Sequence, residues 1–207
     1  MEDVLDRYAE PSDARRPQVC FDESPYQLIR ETRHPLPARP GQPPRYDYEY
    51  KREGTVNLFL FVHPLLGWRH VTVTAQRTTQ DFAHQMQALV EGYFPEADVL
   101  RVVMDNLNTH TPAALYETFP PAQARRLTRK LEIHYTPKHG SWLNMAESEF
   151  AVLRAQCLKR RIADVTTLHQ EIAAWQEKRN RQKAKINWAF HTTDARVKLH
   201  RLYPLLP

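Results

Sequence analysis

The stretch VLRVVMDNLNTH, residues Val99 to His110, decides the fold that the sequence predicts. Five of its first six residues are apolar and three are β-branched, which is typical of a short strand buried on both faces. The strand ends at the carboxylate of Asp105, and polar side chains that favour turns follow. In open α/β sheets, ligands bind in the crevice at the carboxyl ends of such strands. Two interpretations stay open here: Asp105 and Asn106 cap a turn, or they belong to a functional site.

Two further segments place carboxylates on predicted core elements. QVCFDES, residues 18–24, predicts a short apolar strand that carries Asp22 near its end. The segment from Trp142 to Leu158 has the apolar spacing of a helix, and Glu147 and Glu149 lie on opposite edges of its apolar stripe. Either glutamate can therefore lie at the rim of a crevice, and helical periodicity does not choose between them.

Carboxylates from these segments can converge if the two acid-bearing strands are neighbours. Three converging carboxylates repel one another unless cations neutralise them, and hard oxygen ligands select Mg²⁺ or Mn²⁺. Two such ions, about 3.5–4 Å apart, activate a hydroxyl nucleophile and stabilise the leaving oxygen of a phosphodiester. The acids Asp22, Asp105 and Glu147 thus point to nuclease or strand-transfer chemistry.

The remaining pattern predicts a mixed sheet covered by helices on both faces. A hairpin, an amphipathic helix, a further strand and short helices are indicated by the spacing of apolar residues and by the positions of glycine and proline. The predicted elements are strands at Thr55–His63, Trp68–Ala75 and Leu131–Tyr135, and helices within Thr79–Phe94, Pro112–Arg129 and Thr166–Asn180.

Length, composition and charge are those of a globular protein with one sizeable core. The chain has 207 residues, of which 42% are hydrophobic and 26% charged. Residues 1–119 carry 12 Lys and Arg against 17 Asp and Glu, a net charge of −5, whereas residues 120–207 carry 17 against 7, a net charge of +10. The basic half predicts either a folded surface that faces a polyanion or solvated helical faces with surplus Lys and Arg.

The lengths of the apolar segments and the positions of the cysteines indicate the cellular compartment, and the composition of residues 1–18 indicates where the domain begins. No apolar segment is long enough for a membrane span or a signal peptide, and Cys20 and Cys157 lie far apart, which fits a reducing, cytoplasmic compartment. A zinc site that uses these cysteines with His134 or His139 is an alternative that the scattered spacing disfavours. Residues 1–18 mix charges with two prolines and predict a linker.

Two tryptophans could serve either the core or nucleic-acid binding. Trp142 and Trp175 each lie on an apolar stripe of a predicted helix. This position favours a core role over a platform on which bases stack.

The acidic segments carry a family resemblance. CFDES around Asp22, MDNLNTH around Asp105 and HYTPKHGSWLNMAESEF around Glu147 resemble the three acidic motifs of DDE transposases, in the mariner-like group of bacterial insertion sequences. The resemblance runs from about Val19 to the end of the chain, where INWAFHTTDARVKLHRLYP is similar to the tail of that group. It implies a ribonuclease-H-like, mixed five-stranded sheet with helices on both faces. Residues 19–207 would form the catalytic domain with a C-terminal helical extension.

The same resemblance implies a site and an activity. Asp22, Asp105 and Glu147, rather than Glu149, would hold Mg²⁺ or Mn²⁺, two ions in all. Members of the family cleave double-stranded DNA at transposon ends and join the freed 3′-hydroxyl to a target at a TA dinucleotide, as a homodimer in synapsis; a member from bacteria would work in the cytoplasm, at the nucleoid. Candidate residues that hold the acids in place or contact DNA are Asn106, His110, His139, Asn144, Arg154, Lys159, Arg160 and Arg161.

Each of these candidates has a plainer interpretation. The Asn and His side chains can serve local hydrogen bonding, and the Lys and Arg side chains can be solvated charges at a helix end. Family members carry N-terminal helix-turn-helix modules, and only residues 1–18 precede the resemblance here, so we expect end recognition to need a separate N-terminal portion. The alternative function is a truncated fragment without turnover that binds DNA or a full-length transposase.

Overall fold

The computed structural model describes residues 1–33 and 35–203. One sheet contains the strands β1 (Gln18–Glu31), β2 (Tyr50–His63), β3 (Trp68–Thr74), β4 (Leu100–Met104) and β5 (Leu131–Tyr135). The α-helices are α1 (Glu2–Ala9), α2 (Thr79–Gln87), α3 (Ala113–Thr118), α4 (Pro121–Lys130), α5 (Met145–Gln156), α6 (Val165–Arg181) and α7 (Thr192–Lys198). A π-helical segment, Ala88–Tyr93, continues α2, and short 3-10 turns lie at Ser141–Leu143 and His200–Leu202.

The sheet is mixed, with the strand order β3-β2-β1-β4-β5. β1, β2 and β3 form an antiparallel meander, whereas β4 is parallel to β1 and β5 is parallel to β4. One core lies between the sheet and α1, α5, α6 and α7, and a second lies between the sheet and α2, α3 and α4. The prediction of a mixed five-stranded sheet with helices on both faces is therefore confirmed.

The central strands alternate between these two cores. Cys20 and Val103 point into the core beneath α5, whereas Phe21 and Val102 point into the core beneath α2. All five residues of β4 are buried, which explains its almost unbroken apolar run.

Helix α6 covers the backbone of the edge strand β3 with side-chain amides. Gln176 Oε1 accepts a hydrogen bond of 2.7 Å from the Val71 amide. Asn180 accepts one of 2.8 Å from the Arg69 amide and donates one of 2.9 Å to the Arg69 carbonyl. Backbone groups that an edge strand would expose are thus paired inside the molecule.

Residues 1–18 differ from the predicted linker because they contain α1. Val4 and Leu5 are buried in the core, and Tyr8 packs edge-on against Trp188 with ring centroids 5.1 Å apart. The bidentate pair of Glu2 with Arg196, at 2.7 and 2.8 Å, ties the helix to α7. Eight residues are too short for a clear helical period, and the charges that hid this helix in the sequence form its tertiary contacts.

The helix predicted from Trp142 begins at Met145 instead. The Asn144 side chain accepts a hydrogen bond from the Ala146 amide and caps α5 at that point. Trp142 therefore lies in the preceding 3-10 turn with 46% of its surface exposed, and its prediction as a core residue is wrong. Trp175 is buried as predicted.

Within residues 1–33 and 35–203, every helix is too short or too polar to cross a membrane. Cys20 and Cys157 are both buried free thiols. The His134 ring nitrogens lie within hydrogen-bond distance of the Asp3 carboxylate, at 2.8 Å, and of the Glu132 carboxylate, at 3.0 Å, and the described residues hold no group of three metal ligands with either cysteine. The described part of the chain thus gives no support to the zinc alternative.

Candidate active site

Parallel strand pairing places Asp22 beside Asp105. β1 and β4 pair with a constant offset, from Gln18 with Arg101 to Cys20 with Val103. Two residues further along, the same offset would set Asp22 beside Asp105, the residue that follows β4, and the two-residue period of β1 directs Asp22 to the face of Cys20. Asp22 therefore lies on the α5 side of the sheet, while the Asp105 carboxylate contacts His110, which packs against Phe82.

The first turn of α5 supplies the third carboxylate. Glu147 lines a crevice of about 300 Å³, and the lining residues are Asp22, Glu23, Ser24, Glu147, Phe150 and Arg154. Burial, together with the carboxylates of Asp105 and Glu147, raises the pKa of Asp22 to about 7 against the opposing hydrogen bond from the Glu23 amide. The three acids are close enough to interact electrostatically.

Glu149, two residues further along α5, belongs to a buried ion cluster instead. Its side chain is 1% exposed, and Oε1 lies 3.0 Å from Arg69 Nε and 2.8 Å from Arg179 Nε. Arg69 is itself fully buried and also donates to the Gly67 carbonyl at 2.7 Å. The structure thus separates two glutamates that periodicity left equivalent: Glu147 faces the crevice and Glu149 does not.

His110 lies between the carboxylates of Asp105 and Glu23 and contacts both. It is fully buried, with Nδ1 2.6 Å from Asp105 Oδ1 and Nε2 3.5 Å from Glu23 Oε2. Burial lowers the pKa of His110, but the Asp105 and Glu23 carboxylates outweigh it and raise the pKa to about 9. The ring packs on Phe82, with centroids 4.9 Å apart, and the Tyr135 hydroxyl donates to the His110 carbonyl at 2.6 Å. The His110 ring is thereby fixed in place beside Asp105.

Glu23 is a site residue that the sequence analysis did not select. It follows Asp22 on β1 and therefore points to the opposite face, where Arg77 Nη1 lies 3.3 Å from its carboxylate. The two-residue period of the strand was the available signal, because it directs Glu23 to the face opposite Asp22. That period alone could not show that His110 lies on the same face.

Asn106 and His139 line a second groove, of about 500 Å³, together with Asp105. The groove is formed by Asp105, Asn106, Leu107, Thr136, Pro137, Lys138, His139 and Ser141. His139 has a φ of 63°, a left-handed conformation that is unusual for a residue with a Cβ. Asn144, by contrast, is buried between β1 and α5 and does not line either cavity.

The predicted basic residues separate into two groups. Arg154 lies two turns after Glu147 on α5, lines the same crevice and donates to the Ser24 hydroxyl. Arg160 pairs with Glu171, Arg161 pairs with Glu31, and Lys159 is exposed. Only Arg154 of these four lines the crevice with the acids.

The acids have the donor chemistry of a site for a hard divalent cation. Burial and the neighbouring carboxylates of Asp105 and Glu147 raise the pKa of Asp22, and a bound cation would relieve the repulsion between these acids. In residues 1–33 and 35–203, however, no three His, Cys, Asp or Glu side chains are close enough together to form a ready metal cage. The carboxylates are therefore suitable ligands for such an ion and lie near one another, but they are too far apart to form a closed coordination site.

A mixed five-stranded sheet with acids beside its central parallel strands defines the class as ribonuclease-H-like. Residues 17–169 match the DDE superfamily endonuclease family, and the chain belongs to that family. The predicted fold class and the predicted family are therefore both confirmed. A comparison with curated proteins finds no match.

Solved structures of the Mos1 mariner transposase are similar in fold. The paired-end complex with Mn has a TM-score of 0.58 at 16% identity, and the paired-end complex with the left transposon end has 0.59 at 16%; each match covers 88% of this chain and 55% of that one. The Mos1 strand transfer complex has a TM-score of 0.56 at 16% identity, covering 90% of this chain and 60% of the other. This chain thus spans a little over half the length of those relatives.

Proposed function

We propose that this chain is the catalytic part of a mariner-like DDE transposase. It hydrolyses phosphodiester bonds at the ends of an insertion sequence and then joins the freed 3′-hydroxyl to target DNA. The observation that carries this proposal is the parallel register of β1 and β4, which extends towards Asp22 and Asp105, together with the crevice that Asp22 shares with Glu147 in the first turn of α5. Membership of the DDE endonuclease family supports it.

Asp22, Asp105 and Glu147 are the residues that would hold Mg²⁺ or Mn²⁺, with two ions as the proposed number. Bound there, the metal would supply Lewis acidity to an attacking water or hydroxyl and to the leaving oxygen. The Mos1 structures, described as complexes with Mn and with Mg, support a divalent ion. His110 holds the Asp105 carboxylate from behind, so that this acid keeps its orientation while DNA enters from the crevice side.

Arg154 is the proposed phosphate contact. It lies on the rim of the acid crevice, where its guanidinium offsets the repulsion between three carboxylates and a phosphodiester. The groove that Asn106 and His139 line together with Asp105 gives DNA a second surface to contact. Lys159, Arg160 and Arg161 lie further along the exit of α5 and are proposed as more distant backbone contacts.

The proposed partners are double-stranded transposon ends, a TA-containing target and a second copy of the chain in synapsis. The Mos1 paired-end and strand transfer complexes support DNA as the partner, and the net charge of +10 on residues 120–207 fits a polyanion. A separate N-terminal portion that recognises the ends is part of this proposal, as is action at the bacterial nucleoid.

Metal-dependent processing of DNA by the purified chain tests the proposal. With Mn²⁺ or Mg²⁺ we expect nicked or joined products from labelled duplex DNA, and none in EDTA. Asp105→Asn should lower the rate at least about 1,000-fold, or roughly 4 kcal/mol of transition-state stabilisation, with an unchanged circular dichroism spectrum. Glu177→Gln, at an exposed pair with Arg181, is the matched control and should keep full activity.

Two results would overturn the proposal. Equal activity of Asp105→Asn and the unsubstituted chain would remove the mechanism. Salt-sensitive DNA binding without any metal-dependent cleavage would favour the alternative of a fragment without turnover.

A further inference from the structure

Asn144 is the residue whose side chain joins the two elements that carry Asp22 and Glu147. It is buried, with 1% of its surface exposed, between the 3-10 turn and α5. Its Nδ2 donates a hydrogen bond of 2.8 Å to the Phe21 carbonyl, and its Oδ1 accepts one of 3.1 Å from the Ala146 amide. Each of these partners is the residue immediately before one of the two acids.

The bond to Phe21 has a clear structural cause. Parallel pairing between β1 and β4 ends at Cys20 and Val103, because β4 gives way to the loop that begins at Asp105. A buried carbonyl beyond that point needs another donor, and the Asn144 amide supplies it. The sheet therefore opens to admit the active-site crevice, and one side chain replaces the missing strand contact.

A second contact holds Asn144 itself. The Tyr8 hydroxyl, from α1, donates a hydrogen bond of 2.7 Å to the Leu143 carbonyl, next to Asn144 in the chain. Tyr8 is held in turn by the edge-on contact with Trp188. The end of the 3-10 turn is thus fixed from both sides before α5 begins.

We infer that Asn144 is a positioning residue that sets the separation of the Asp22 and Glu147 carboxylates, with Tyr8 as its support. This inference rests on the proposed function, because it assigns those two acids to one metal site. Capping of α5 by Oδ1 is a separate role, which any good N-cap residue can fill. The positioning role belongs to Nδ2, which only a side chain with a donor at that reach supplies.

Asn144→Ser separates the two roles. Serine keeps an N-cap oxygen but is too short to donate to the Phe21 carbonyl, so the helix start is retained and the link to β1 is lost. We expect Mn²⁺ affinity, measured by calorimetric titration, to fall about tenfold or more. On DNA, kcat should fall by a similar factor while KM stays unchanged, because the DNA-contacting surface is intact.

Tyr8→Phe should shift Mn²⁺ affinity in the same direction by a smaller factor, about two- to fivefold, because the support of the Leu143 carbonyl and the 3.5 Å contact with Cys20 Sγ are lost while Asn144 keeps its own bonds. The matched control is Asp164→Ala, which removes the N-cap of α6, where Asp164 Oδ1 accepts from the Thr167 amide at 2.8 Å. This control should lose stability without losing Mn²⁺ affinity. A stability effect alone therefore cannot produce the expected pattern.

The outcomes separate this inference from the proposed function. If the unsubstituted chain binds Mn²⁺ and Asn144→Ser binds it equally well, the positioning role is overturned and the proposed function stands. If the unsubstituted chain binds no Mn²⁺, the proposed function fails, and crystal structures of the two metal-free proteins decide the positioning role. A Glu147 carboxylate displaced from Asp22 in the variant supports it, and an unchanged separation overturns it.

Discussion

The two glutamates of α5 lie two residues apart and have opposite surroundings. Glu149 is buried and pairs with Arg69 and Arg179, so its charge is compensated inside the fold. Glu147 and Asp22 line one crevice, where carboxylates outnumber cations, and burial together with the nearby carboxylates raises the pKa of Asp22 to about 7. One side of the helix stabilises the native state, while the other retains repulsion between acids. Under the proposed function, this repulsion is the cost in stability of a site that binds a cation.

Glu149→Gln removes the compensated charge of the buried ion cluster, and we expect it to give the largest decrease in the free energy of unfolding. The substitution leaves the buried Arg69 guanidinium and the partly buried Arg179 guanidinium without their counter-ion, and breaking a buried pair destabilises a protein by about 3–5 kcal/mol. Urea denaturation followed by circular dichroism measures this loss. A loss below about 1 kcal/mol would show that the ion cluster contributes little to folding.

Asp22→Asn should stabilise the metal-free protein. Because the folded-state pKa of Asp22 lies near 7, above its ordinary value of 3.8, the wild type is most stable with this group protonated and loses stability as the pH rises from about 4 through 7. The neutral variant lacks this loss, so at pH 8 in EDTA it should be more stable by roughly 1–3 kcal/mol.

Thermal melts across this pH range check the expectation for Asp22. Adding Mg²⁺ should raise the melting temperature of the wild type and leave that of Asp22→Asn nearly unchanged. Melting curves with the same pH dependence in both proteins would contradict the interpretation of a repulsive acid site.

Glu147→Gln should have the smallest effect on folding and sharpen the contrast with Glu149. Its side chain is exposed, so we expect unfolding free energy to change by less than about 0.5 kcal/mol. Metal-dependent DNA cleavage should nevertheless be lost. Retained cleavage in Glu147→Gln, assayed beside Asp105→Asn on the same labelled duplex, would remove Glu147 from the proposed site.

Local sequence patterns were sufficient for much of the fold. The apolar runs of β4 and of QVCFDES predicted core strands that lead to Asp105 and Asp22, and the structure pairs these two strands in parallel. These features depend on residues that are close in the sequence, and the spacing of apolar residues indicates them directly. The family resemblance, rather than periodicity, selected Glu147.

Other features depended on contacts between distant segments. Glu149 is excluded from the crevice by arginines from β3 and α6, which no pattern within α5 reveals. Trp142 lies outside α5 because Asn144 starts the helix three residues later than the apolar stripe indicated. Helix α1 was missed because its stability comes from packing against the core and from pairing with α7.

The amide side chains that α6 places along β3 also limit how copies of the chain can assemble. Gln176 and Asn180 already occupy backbone groups of Val71 and Arg69, so a strand from another molecule finds them satisfied. Two copies therefore cannot merge their sheets through this border into one continuous ten-stranded layer without first detaching α6. Pairing of protomers therefore has to use other surfaces, and the same shielding protects this edge of the sheet from fibre-like stacking.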